Sequence, residues 1–82
     1  MTNQNKPIKY DIKQAIGQLS VSGTGWTREL NIIAWNDAAP KLDIRDWSPD
    51  HQKMSRGITL TGEEVQNLIQ LMAASDVSSL GL

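Results

Sequence analysis

The stretch PKLDIRDW, Pro40 to Trp47, divides its side chains between two faces if it runs as a strand. Leu42 and Ile44 then share the core face, while Lys41, Asp43, Arg45 and Trp47 share the face that looks at solvent. An indole plane set among cationic side chains is what an unpaired nucleic acid requires. Bases stack on the ring at about 1–3 kcal/mol each, and Lys or Arg neutralises the phosphates between them. Trp35 leads into the loop before this strand, and a chain with three tryptophans and no phenylalanine has made an odd choice for core filling. A Trp at a strand end also often folds over the edge of the core with an arginine stacked on it. For Trp47 the two readings weigh about equally, given its phase. Trp26, just after a turn, fits core or dimer packing better than base contact.

Catalytic chemistry finds less support. His51 is the only histidine, which excludes a multi-histidine metal site. Asp50 beside it, with Asp37, Asp43 and Asp46 upstream, could in principle hold a magnesium ion. Acids that punctuate turns and pair with Lys41 or Arg45 are the plainer reading. No serine sits in a nucleophile elbow, and SGTG (residues 22–25) lacks the lysine and following helix of a phosphate loop. The sequence therefore predicts no enzyme, no metal and no cofactor.

The elements that must position these residues fit one domain of 82 residues. A chain this short buries only about 60–65% of its unfolded surface. It has no cysteine to staple it, so a second copy is an attractive source of burial. The net charge is −1, yet all eight Lys and Arg lie within residues 1–60, against six acids there, a local +2. Residues 61–82 hold three acids and no base, so a cationic surface is permitted without a basic protein. Met1 to Lys6 is polar with no apolar stretch after it, and no apolar run is longer than the four residues of Ile32 to Trp35. The expectation is a soluble, cytoplasmic, nucleoid-associated protein with no membrane partner.

Residues 1–7 read as a flexible tail, 8–75 as the domain and 76–82 as a second tail. From Ile8 the apolar phase is Ile8, Tyr10, Ile12 and then Ala15, Gly17, Leu19, Val21, so one bulge near Lys13–Ala15 is expected in a long first strand. SGTG turns into a second strand over 26–36, NDAAP (36–40) into a third over 41–47, and SPDHQK (48–53) into a fourth over 54–60. Arg56 is in phase with Ile58 and Leu60. Burying an unpaired arginine is expensive, so a bulge at Gly57 or a later strand start is expected. Thr61 and Glu64 form a capping box, with Leu60 and Val65 as its staple. Val65, Leu68, Ile69 and Met72 then mark a helical stripe, which Leu71 widens. The class is α+β: four antiparallel strands followed by one C-terminal helix.

The ordered set DIRDW, polar loop, MSRGITL and TGEE, preceded by GWTREL and WNDAAPK, resembles the transcriptional positive cofactor four family, especially its short bacterial members. The likeness runs from about Gly25 to Met72. It implies single-stranded-DNA-binding coactivators built as a curved four-stranded sheet backed by a helix. It also implies a homodimer with helices at the interface and adjoining channels for two single strands. By position, Trp47 and Trp35 correspond to the stacking aromatics and Arg45 to the strand arginine. Lys41, Lys53 and Arg56 fall in the phosphate-contacting zones, with Arg28 a further candidate from the second strand. No residue obviously reads a 2′-hydroxyl, so DNA and RNA both fit. A protein-interaction module with the tryptophans as hot spots is the alternative from another class.

Overall fold

The computed structural model describes residues 9–82, and the expected tail over 1–7 lies outside them. The elements follow in the order β1 (Tyr10–Val21), β2 (Thr27–Trp35), β3 (Lys41–Trp47), β4 (Ile58–Leu60) and α1 (Gly62–Ala73). The strands form one antiparallel sheet in sequential order, so every neighbour is joined by a hairpin-type connection. The expected class is what the chain adopts.

β1 departs from its sequence reading. Its 12 residues pair with the 9 of β2, and the register slips three times, between Ile12 and Gln14, Ala15 and Gly17, and Gln18 and Ser20. One bulge was expected where there are three. Each inserted residue bends the strand and increases its twist. Ile16 and Leu19 are exposed, as is every residue of β1 except Ile12. At the far end of β2, Asn36 and Asp37 both have positive φ, 50° and 64°, and Ala38 N–H donates to Trp35 C=O at 2.8 Å. That is the mirror-image turn whose twist suits a hairpin.

β4 begins at Ile58, later than the sequence suggested, and Met54 makes only an isolated bridge to Trp47. This resolves the arginine problem: Arg56 precedes the strand and is exposed. The capping box forms as expected, with Glu64 N–H donating to Thr61 Oγ1 at 3.2 Å and Thr61 N–H to Glu64 Oε1 at 2.8 Å. α1 lies against β3 and β4, yet none of its residues is fully buried, and Ile69 and Leu71 remain 61% and 68% exposed. A short 3-10 turn, Val77–Ser79, capped by Asp76, follows the helix.

The two sheet faces have exchanged their expected roles. Leu30, Ile32, Leu42 and Ile44, on the helix side, are only half-buried. Apart from Ala34 on the helix side and Ser48 just after β3, the buried residues, Asn31, Ile33, Asp43 and Trp47, lie on the opposite face, the one expected to meet solvent.

Candidate nucleic-acid interface

Trp47 ends β3 opposite Thr27 and has no exposed surface. The expectation that its ring looks at solvent is overturned. Alternation fixed the face correctly, but the face is packed. The His51 ring lies parallel to the indole, with centroids 4.3 Å apart and planes 5° apart, and Tyr10 approaches at 5.8 Å. Tyr10 also lies 5.4 Å from Trp35. A row of rings, Trp35–Tyr10–Trp47–His51, therefore runs along this face. Tyr10 was missed in the sequence because its phase made it look like a core residue; it is 37% exposed. The indole N–H groups of Trp35 and Trp47 are buried and find no acceptor among the described residues.

The loop that carries His51 is tightly determined. Pro49 follows Ser48 in a turn closed by His51 N–H donating to Ser48 C=O at 2.8 Å, and His51 then takes a positive φ of 62°. Ser48 and Lys53 bond each other through Ser48 N–H to Lys53 C=O at 2.9 Å and Lys53 N–H to Ser48 Oγ at 2.9 Å. Asp50 accepts from Gln52 N–H and Ser48 Oγ–H, and these two bonds hold its carboxyl below the usual range. His51 Nε2–H points at the Glu29 carboxylate, 3.0 and 3.1 Å from its oxygens. Glu29 also accepts from Thr27 and Asn31. Burial acts to raise the Glu29 pKa, but the bonds from Thr27, His51 and Asn31 together outweigh it and hold the group below its ordinary value.

Arg45 is committed within the protein. Its Nε and Nη2 donate to the two oxygens of fully buried Asp43 at 2.6 and 2.7 Å, Nη1 donates to Ser55 C=O at 3.3 Å, and the guanidinium lies 4.5 Å from the Trp35 ring centre. A bidentate pair of this kind is neutralised and geometrically fixed. Trp35 and Arg45, with Lys41, Gly57, Thr59 and Ala38, line an open depression of about 510 Å³.

The other predicted cations are distributed differently. Lys41, Lys53 and Arg56 are exposed and make no ion pair among the described residues. Arg28 stands on the opposite face, paired with Asp46 at 2.9 Å, and that hydrogen-bonded carboxylate raises its pKa further. With Arg56 it borders a second hollow of about 380 Å³, which shares Arg45 and Gly57 with the depression at Trp35. The structure thus groups Trp35, Lys41 and Arg45, places Trp47 beneath His51, and sets Arg28 apart.

The family model described as transcriptional coactivator p15 (PC4) matches residues 22–71. An uncharacterized protein of Treponema pallidum (strain Nichols) is 46% identical over 68 residues, covering 83% of this chain and 80% of the relative. The matched segment runs from the first hairpin turn to the helix and takes in the depression and three of the four rings of the row, Trp35, Trp47 and His51, with Tyr10 lying before it. The chain belongs to the PC4 family of DNA-binding transcriptional coactivators.

Proposed function

We propose that this protein binds single-stranded DNA with little sequence preference, as a homodimer, in the service of transcription regulation in the cytoplasm. The observation that carries the reading is the depression in which an indole, Trp35, meets a fixed guanidinium and the exposed Lys41. The ring supplies a stacking surface and Lys41, Lys53 and Arg56 supply phosphate charge. Arg45 acts chiefly by holding Trp35, since its own charge is balanced by Asp43. Dimerisation is supported by apolar surface left open: Leu68, Ile69, Leu71 and Met72 on α1 and Ile16, Leu19 and Val21 on β1 are all exposed.

The test is fluorescence anisotropy with oligo-dT, a duplex and an RNA oligonucleotide at two salt concentrations. Single strands should bind more tightly than duplex, with affinity falling as salt rises. Trp35→Ala should weaken oligo-dT binding by about 1–3 kcal/mol. Binding that ignores salt, or prefers duplex, would overturn the reading and favour a protein contact anchored on aromatics.

A further inference from the structure

The sequence offers His51 no chemistry beyond a failed metal site, yet its placement is specific. The imidazole is one of the two ends of the ring row, 43% exposed at its side chain. Trp47 backs it in parallel, and Glu29 fixes the ring through Nε2. Its backbone is held in a left-handed conformation, uncommon for a residue other than glycine, by the closed turn Ser48–His51. A flat ring, rigidly oriented and open on its outer side, beside the exposed Lys53, has the attributes of a base platform. Trp47 cannot present its own face to a ligand because that face is occupied.

We infer that His51 is a base-stacking residue, with Trp47 as the backing plate and Glu29 as the group that sets the ring's plane. This rests on the single-strand reading above and adds a second stacking position to it, at the loop end of the sheet and apart from the Trp35 depression. Trp47 then contributes to binding through His51 and is a positioning residue. The loop turn, which would otherwise be a plain connection between β3 and β4, becomes part of the interface.

His51 is the only histidine in the chain, so its ring protons give an unambiguous NMR probe. Titrating the intact protein with oligo-dT should shift the His51 Hε1 resonance upfield as a base stacks on it. His51→Ala should weaken oligo-dT binding about fivefold or more, and His51→Phe should restore part of the loss because it keeps a ring on Trp47, the unrecovered part reporting the bond to Glu29. If the protein binds oligo-dT while the Hε1 resonance stays in place, His51 is not a platform. Unchanged or tighter binding by His51→Ala overturns the inference as well, tighter binding meaning that the ring blocks Trp47. Failure of the wild-type protein to bind any single strand removes the reading beneath it instead.

Discussion

A fully enclosed indole is a structural member before it is anything else. Trp47 fills space between β3, the 48–53 loop and Tyr10, and its truncation leaves a hole that a small domain has little means of closing. Trp47→Ala should cost about 3–5 kcal/mol, out of a total that for domains is about 5–15 kcal/mol. Urea unfolding followed by circular dichroism measures this, and a loss under 1 kcal/mol would contradict the packing described. The binding defect of that variant would then report unfolding as much as lost stacking, which is why His51 and Trp35 are the better probes. A similar reserve applies to Arg45. Removing it strands the carboxylate of Asp43, which has no exposed surface, and an uncompensated buried charge is strongly destabilising.

The link between β4 and β3 depends on one close approach. A Cβ placed on Gly57 would stand 2.5 Å from both Arg45 Cβ and the Ile44 carbonyl oxygen, and backbone cannot yield as a flexible side chain can. Gly57→Ala should therefore push the start of β4 off β3 and lower stability by about 1–3 kcal/mol. Thermal denaturation reads the loss, and a variant as stable as the parent would show that the approach is not needed. The strand spacing on β3 and the cap of α1 were legible in the sequence because both are local rules: a period of two, and a Thr and Glu three residues apart. The burial of Trp47 was not. Alternation assigns a side chain to a face, but what covers that face depends on Tyr10, two strands away, and on His51 in a loop. The three bulges of β1 were hidden for a related reason, since a sheet's curvature decides where extra residues are absorbed.

At the scale of the molecule, the apolar surface and the charge are arranged for different partners. The helix side of the sheet is half-covered, and α1 carries Leu68, Ile69, Leu71 and Met72 exposed in one stretch, where the acidic end of the chain offers no base. The exposed cations Lys41, Lys53 and Arg56 lie outside α1. In the proposed dimer the helices meet, and each copy contributes one ring row and one depression. A long single strand would then bridge both sites, so its affinity should gain from the effective concentration of the second. Ile69→Asp should break the dimer, giving a monomer by sedimentation equilibrium. It should weaken binding of an oligo-dT long enough to span two sites by about tenfold or more, and that of one filling a single site much less. A parent protein that sediments as a monomer at all concentrations, or a variant that loses short and long ligands equally, would detach the apolar stripe from single-strand binding.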